Sequence, residues 1–126
     1  MMSIELQKNI VERFFLDALQ EGELEILEKI LDSKCSYFDG GMLNYTKREE
    51  FIEYVREGRK PYASIEVVID EIISEDDKVA VRCTYKLGTD VDQYTFSVMG
   101  FFQFYEDKIV KIWRNIVLSS KKSNPG

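Results

Sequence analysis

The chain has 126 residues, which fits one domain, and we predict a single domain over residues 1–120 with a flexible C-terminal tail at residues 121–126. Apolar residues make up 44% of the chain and charged residues 32%, so it can bury a core, and disordered and disulfide-scaffold classes are excluded. The net charge of −6 disfavours binding to nucleic acid or to an anionic membrane surface.

Histidine is absent, and this restricts the chemistry of any site. Histidine is the usual proton-transfer group near neutral pH and the commonest metal ligand, so acid or base chemistry must use a carboxylate, Tyr, Lys or Cys. We expect no metal site and no cofactor. Cys35 and Cys83 match no metal-binding or redox spacing, which favours reduced packing residues. With no apparent signal peptide or membrane-spanning run, we expect a cytoplasmic protein.

Helical patterns dominate the first half of the chain. Apolar residues recur at helical spacing over residues 3–20, and a second, shorter helix is predicted over residues 24–31. The pattern then alternates over residues 34–39, which predicts a strand ended by Gly40-Gly41. The capping-box spacing of Thr46-Lys47-Arg48-Glu49 predicts the start of a third helix.

The second half of the chain is rich in β-branched and aromatic residues. Short turn signals divide it into predicted strands at residues 64–74, 79–87, 94–105 and 108–118. Helices followed by an antiparallel meander predict an α+β fold, in which three N-terminal helices pack on one side of a curved antiparallel sheet.

Apolar side chains occur on both faces of the last two predicted strands. In the strand over residues 94–105, Met99 and Phe101 interrupt the polar face. In the last strand, Trp113 and Ile112 lie on opposite faces, so both faces carry apolar side chains. Three helices can cover only one face of the sheet. We therefore predict that the outer sheet face is buried against a second copy in a two-fold homodimer.

These elements, in this order, resemble a known family. The Gly22-Glu23-Leu24 turn after the first helix, the strand reaching Asp39, and the final strand beginning Lys108-Ile109-Val110 are similar to the nuclear transport factor 2-like cone fold. Within that superfamily the chain looks most similar to the group of SnoaL-like polyketide cyclases, ketosteroid isomerases and limonene-epoxide hydrolases. The resemblance implies a conical pocket that holds a small apolar organic molecule, with one or two polar groups at its floor.

The comparison with ketosteroid isomerases implies one catalytic group. Asp39 falls at the position of the proton-shuttling base, but Phe15 replaces the oxyanion-binding Tyr and Gly100 replaces the second acid. Without these donors an enolate would lack the stabilisation that is usually the largest catalytic term. Steroid isomerisation is therefore disfavoured, and the gap at Gly100 also argues against the cyclase reaction.

The comparison with limonene-epoxide hydrolases gives a similar result. Tyr37 matches the tyrosine of that family, but the other positions of its site have changed and hold Asp39, Cys83, Tyr85 and Asn115. The Asp-Arg-Asp pattern that activates water there is missing. Epoxide hydrolysis by that route is disfavoured.

The candidate site residues follow from the predicted faces and the resemblance. Asp39 and Tyr37 are the candidate catalytic residues. The predicted ligand-binding residues are Phe15, Cys83, Tyr85, Gly100, Phe102, Trp113 and Asn115. Arg82 and Arg114 alternate away from the pocket, so we expect them to contact solvent or a second copy.

Each polar candidate also has a structural interpretation. Asp39 precedes two glycines, as in many turns, but if it faces the cone, desolvation should raise its pKa toward a value useful for a base. Either a neighbouring side chain or a ligand would have to satisfy the hydrogen-bonding groups of the Asn115 amide.

Two hypotheses about the function follow. The chain binds a small apolar organic molecule, with Asp39 as the base if it is an isomerase, cyclase or lyase; alternatively, it is a non-catalytic ligand-binding or protein-interaction module.

Overall fold

The computed structural model describes residues 2–122, with side chains described as far as residue 117. The described residues form three α-helices, six strands and one π-helical segment, Phe14–Gln20. In chain order they are α1 (Ile4–Arg13), the π-helical segment, α2 (Glu25–Ile30), β1 (Leu31–Asp39), β2 (Met42–Tyr45), α3 (Arg48–Arg59), β3 (Ser64–Glu75), β4 (Lys78–Gly88), β5 (Gln93–Tyr105) and β6 (Lys108–Lys122). Residues 123–126 of the predicted tail lie outside the described part, and β6 extends two residues into the segment predicted as tail.

The six strands form a single curved sheet in the order β2-β1-β6-β5-β4-β3, so the α+β class is confirmed. The expectation of a purely antiparallel sheet is wrong, because β1 and β6 pair in parallel. β1 ends at Asp39 and β6 begins at Lys108, so the two strands are far apart along the chain. Local sequence patterns carry no information about the relative direction of such a distant pair.

The first predicted helix is divided into two segments in the structure. The first predicted helix is α1 together with the π-helical segment, and α3 follows the β1–β2 hairpin. The N-cap of α3 is Lys47, whose side chain makes no capping hydrogen bond, so the predicted capping box at Thr46 is wrong. Within residues 2–122, no helix is long and apolar enough to cross a membrane.

Two glycines form the turn of the β1–β2 hairpin. Gly40 and Gly41 have φ angles of 58° and 85°, the combination that a two-residue hairpin turn of the I′ type needs. Asp39 pairs with Met42 across this turn. Strand β2 was not predicted, because only four residues separate the turn from the approach to α3.

Phenylalanine rings fill the centre of the space between the helices and the sheet. The ring centroid of Phe102 lies 5.0 Å from that of Phe14 and 5.7 Å from that of Phe15, both edge-to-face. Phe14 also stacks on Phe51 at 5.9 Å. These four side chains are at most 1% exposed. Phe15 and Phe102, which were predicted to bind the ligand, are therefore part of the core.

The register between β5 and β6 shifts at one residue. Phe104 pairs with Ile109, as expected from the tight turn between the strands. The preceding residue, Gln103, pairs with Lys111, so Val110 is an extra residue that forms a β-bulge.

This bulge decides which face each later side chain of β6 occupies. Beyond it, Phe102 pairs with Ile112 and Gly100 pairs with Arg114. Cross-strand partners share a face, so Arg114 lies on the inner face with the core, and Trp113 and Asn115 lie on the outer face.

Candidate functional site

A cavity of about 300 Å³ lies between α3 and the inner face of the sheet, beside the phenylalanine-filled centre. Its volume is at the lower end of the range for small-molecule sites. The walls are mainly apolar, and every polar side chain in them is a tyrosine or an arginine. The lining residues are Leu19, Tyr54, Val55, Gly58, Arg59, Tyr62, Ile65, Val67, Tyr85, Leu87, Phe96, Arg114 and Ile116.

Arg114 is the most buried charged residue of the described chain, with only 5% of its surface exposed. Its Nε donates a hydrogen bond to the Tyr37 hydroxyl at 3.2 Å, and its Nη1 donates to the Tyr85 hydroxyl at 3.0 Å. The guanidinium carbon also lies 5.4 Å from the centroid of the Tyr37 ring. These contacts use Nε and Nη1, which leaves Nη2 without a partner among the side chains described.

The tyrosines around Arg114 stay neutral at physiological pH. Burial raises the pKa of Tyr37, and this outweighs the opposing effect of the Arg114 charge. Burial raises the pKa of Tyr85 in the same way. Burial by itself lowers the pKa of Arg114. The electrostatic effect of the Tyr85 and Tyr37 oxygens raises that pKa by more, so the net shift is upward. The site therefore holds a charged guanidinium and neutral phenols.

The second arginine of the cavity is held by backbone groups. Arg59 donates from Nε to the Leu19 carbonyl at 2.9 Å and from Nη2 to the Gln20 carbonyl at 2.8 Å. Both carbonyls belong to the C-terminal end of the π-helical segment. Neither Arg59 nor Arg114 has a carboxylate within ion-pair distance among the described side chains, and no Asp or Glu lines the cavity.

The predicted ligand-binding residues separate into three groups. Tyr85 lines the cavity. Phe15, Cys83 and Phe102 are buried in the core and do not line it. Trp113 and Asn115 lie on the outer face, so their predicted inward orientation is wrong, as is the predicted outward orientation of Arg114. The cause is the bulge at Val110, which shifts the pairing by one residue.

Gly100 is buried where its resemblance to catalytic relatives would require an acid. A Cβ atom there would lie 3.0 Å from Val81 Cγ1 and 3.2 Å from Phe102 Cε1, with Phe15 Cζ at 3.6 Å. Three neighbouring side chains thus occupy the space of the missing side chain. Gly100 is a packing position in this chain and does not face the cavity.

The two candidate catalytic residues, Tyr37 and Asp39, differ in their contact with the cavity. Tyr37 is fully buried and contacts the site through its hydrogen bond to Arg114. Asp39 is half-buried at the end of β1 and is the register partner of Arg114, but no hydrogen bond or ion pair among the described residues joins the two side chains. Asp39 does not line the cavity. A role for it as a base stays a prediction.

The two cysteine thiols are buried. Burial raises the pKa of both Cys35 and Cys83 to about 12, so neither is a ready nucleophile. Within residues 2–122, no group of three Cys, Asp or Glu side chains is arranged to hold a metal ion.

A comparison with protein families identifies the family of this chain. The model of the SnoaL-like domain family matches residues 11–112. The chain belongs to the SnoaL-like domain family. Solved structures that share its fold include an LEH-like epoxide hydrolase and a protein of ketosteroid isomerase-like fold. No curated protein matches the sequence.

Three solved structures illustrate the likeness. An LEH-like epoxide hydrolase from M. tuberculosis is 20% identical, with a TM-score of 0.77 over 90% of this chain and 84% of that chain. A candidate polyketide cyclase from Acidithiobacillus ferrooxidans is 18% identical, with a TM-score of 0.77 over 91% of each chain. A protein of ketosteroid isomerase-like fold from Catenulispora acidiphila is 16% identical, with a TM-score of 0.75 over 88% of this chain and 87% of that chain. At these identities the likeness shows the fold.

Of the cavity residues predicted from sequence, only Tyr85 lines the cavity, and the polar lining residues that sequence reasoning missed are Tyr54, Arg59, Tyr62 and Arg114. Tyr54 follows the buried Phe51 by three residues and Arg59 follows the buried Val55 by four, so both border the buried face of α3, but residue type alone predicts a solvated position for Arg59. For Arg114 one signal was present. An arginine within a dense apolar run is an unusual surface residue, since such runs are buried on both sides.

Proposed function

We propose that this SnoaL-like domain binds a small, mainly apolar organic molecule in the cavity between α3 and the sheet. The observation that carries the proposal is the buried guanidinium of Arg114, held by two tyrosine hydroxyls at the wall of a cavity that is otherwise apolar. Sites of this composition bind an apolar ligand body and orient it by a few polar groups.

The composition of the cavity favours binding without proton transfer. Its titratable lining residues are arginines and tyrosines, and burial raises the pKa of Tyr85, so none of these groups is a general base near neutral pH. Asp39 lies outside the lining. Of the two functional hypotheses, the ligand-binding module is therefore the better supported.

Binding in the cavity is tested with a neutral apolar fluorophore, N-phenyl-1-naphthylamine. Gly58 lines the cavity, and no atom lies within 4 Å of a Cβ atom built there, so Gly58→Leu places a side chain at the cavity wall. We expect this variant to weaken probe binding at least tenfold. Glu57→Leu, an exposed neighbour on the same helix, is the matched control and should bind as the wild type does. Equal binding by both variants and the wild type would contradict the proposed site.

The catalytic hypothesis is tested separately with Asp39→Asn. Wild type and variant are incubated with a panel of small ketones and epoxides, and product formation is followed by chromatography. We expect no turnover above background by either protein, because no base faces the cavity. Turnover by the wild type that drops at least a hundredfold in Asp39→Asn would instead support an enzyme with Asp39 as its base.

A further inference from the structure

No carboxylate among the described side chains lies within ion-pair distance of Arg114, although Asp39 is its register partner on β1. The two hydrogen-bond acceptors of Arg114 are the neutral hydroxyls of Tyr37 and Tyr85, and no Asp or Glu lines the cavity. A buried ion without a paired ion is costly, because hydroxyl oxygens replace only part of its lost hydration. From this geometry we infer that the ligand is an apolar monocarboxylate, whose carboxylate is received by the guanidinium of Arg114. This inference rests on the proposed function and specifies the ligand class of the same cavity.

The unused donors of Arg114 suit a carboxylate. Nε and one hydrogen of Nη1 are taken by the two tyrosines, so Nη2 remains available on the planar guanidinium. Hydrogen bonds between guanidinium and carboxylate are charge-assisted and roughly twice as strong as those between neutral groups. The tyrosine contacts also fix the side chain, so little conformational entropy remains to be lost when the anion binds.

The rest of the cavity strengthens the preference for an anion. Arg59 also lines the cavity, and the described hydrogen-bond acceptors of its guanidinium are the uncharged Leu19 and Gln20 carbonyls. The cavity is therefore positive, although the chain as a whole carries a net charge of −6. An organic cation would be repelled by both arginines, despite the aromatic rings in the walls.

The apolar walls define the remainder of the ligand. Leu19, Val55, Val67, Leu87 and Phe96 surround the space next to Arg114. They offer no further charge and can bury hydrocarbon. A short fatty or aryl-alkyl carboxylate has the required division between one charged end and an apolar body.

The test compares three ligands with the same eight-carbon body: octanoate, octanamide and octylamine. Each competes with bound N-phenyl-1-naphthylamine at pH 7.5, and displacement gives its Kd. We expect octanoate to bind about 10 to 100 times more tightly than octanamide, the range for replacing a neutral hydrogen bond by a charge-assisted one. Octylamine should bind most weakly.

The contribution of Arg114 is measured with Arg114→Gln, which keeps hydrogen-bonding groups but removes the charge. We expect the ratio of the octanoate and octanamide affinities, both measured in this variant so that any change in fluorophore affinity cancels, to fall below threefold. Arg82→Gln removes an exposed arginine that pairs with Glu71 and is the matched control, with the wild-type preference retained. If Arg114→Gln does not fold, Tyr85→Phe replaces it and should lower the preference by misplacing the guanidinium.

The outcomes separate the two proposals. Equal affinity for octanoate and octanamide, or tighter binding of octylamine, overturns the monocarboxylate inference but leaves small-molecule binding intact. A preference for octanoate that persists in Arg114→Gln overturns Arg114 as the receiving group. Failure of the neutral fluorophore to bind the wild type overturns the proposed function itself.

Discussion

The Arg114 side chain is energetically unusual. It is 5% exposed and its described partners are the hydroxyls of Tyr37 and Tyr85. Replacing a buried ionic network by apolar groups of similar volume is often neutral or stabilising. A charged side chain buried against neutral hydroxyls is therefore better explained by ligand binding than by folding.

This argument predicts the stability of a triple variant. Arg114→Met combined with Tyr37→Phe and Tyr85→Phe removes the charge and both hydroxyls together, so we expect a free energy of unfolding equal to the wild type or up to about 4 kcal/mol higher. Arg114→Met alone leaves two buried hydroxyls without their donor and should lie about 1–3 kcal/mol below the triple variant. Urea unfolding measures both. A triple variant more than 2 kcal/mol less stable than the wild type would show that the network is structural.

The buried phenols also predict how stability depends on pH. Burial raises the pKa of Tyr37 and Tyr85 above the ordinary value of 10.0. Above that pH the unfolded chain loses these protons while the folded protein keeps them, so the folded state binds more protons. Their contribution to stability is complete below pH 10 and is lost as the pH rises above it.

Urea unfolding at pH 8, 10 and 11 checks this dependence. We expect Tyr85→Phe to lose less stability than the wild type between pH 10 and pH 11, because one of the raised groups is gone. Tyr105→Phe is the control, since that ring is 69% exposed, and it should follow the wild-type curve. The same loss in all three proteins would argue against the burial of Tyr85 as the cause.

At the scale of elements, one bulged residue determines the composition of the site. Val110 shifts the pairing of β6 with β5, so that Arg114 pairs with Gly100 and points inward. Without the extra residue the tight turn would pair Gly100 with Trp113, and the outer residues of β6 would face the cavity. The bulge therefore gives the cavity an arginine in place of a tryptophan and an asparagine.

Two glycines should respond in opposite ways to the same substitution. Gly41 has φ of 85° in the β1–β2 turn, so Gly41→Ala should lower the free energy of unfolding by about 1 kcal/mol or more. Gly58 lies within α3 with no atom within 4 Å of a built Cβ, so Gly58→Ala should raise it by about 0.5–1 kcal/mol. Thermal unfolding followed by circular dichroism measures both changes. Changes of the same sign would contradict the assigned backbone conformations.

At the scale of the whole molecule, the outer sheet face carries an apolar patch. Ile73, Met99 and Val117 are 68%, 56% and 63% exposed. Trp113 stacks on Phe38 with centroids 5.3 Å apart and meets Phe101 edge-on at 5.6 Å. The helices cover the other face, so this patch is open in one copy of the chain. Contiguous exposed apolar surface of this kind is typical of an interface.

We propose that a second copy covers this patch, as the sequence pattern also predicted. Sedimentation velocity at micromolar concentration should show a dimer for the wild type and a monomer for Phe101→Asp, because the new charge would be buried at the interface. Val91→Asp changes an 85% exposed apolar residue in the β4–β5 loop and should stay dimeric. A wild-type monomer would contradict the proposed dimer.

Much of the fold could be predicted from the sequence because its determinants are local. Helical spacing identified α1 and the π-helical segment as one helical region, and alternation located β3, β4 and β5 to within a residue or two. The parallel pairing of β1 with β6 could not be predicted, because it joins strands about 70 residues apart whose direction is set by the chain between them. The capping box failed because α3 begins two residues after Thr46, with Lys47 at its N-cap.

The candidate site was predicted less well than the fold, and for one physical reason. The sequence by itself determined the family, the α+β class and an aromatic, apolar interior that includes Tyr37 and Tyr85. Only the tertiary structure decided that phenylalanines fill the centre of that interior, that Asp39 lies outside the cavity and that Arg114 lies inside it. Side-chain direction in a strand reverses with each residue, so a single bulge, which local patterns do not reveal, exchanges one set of site residues for another.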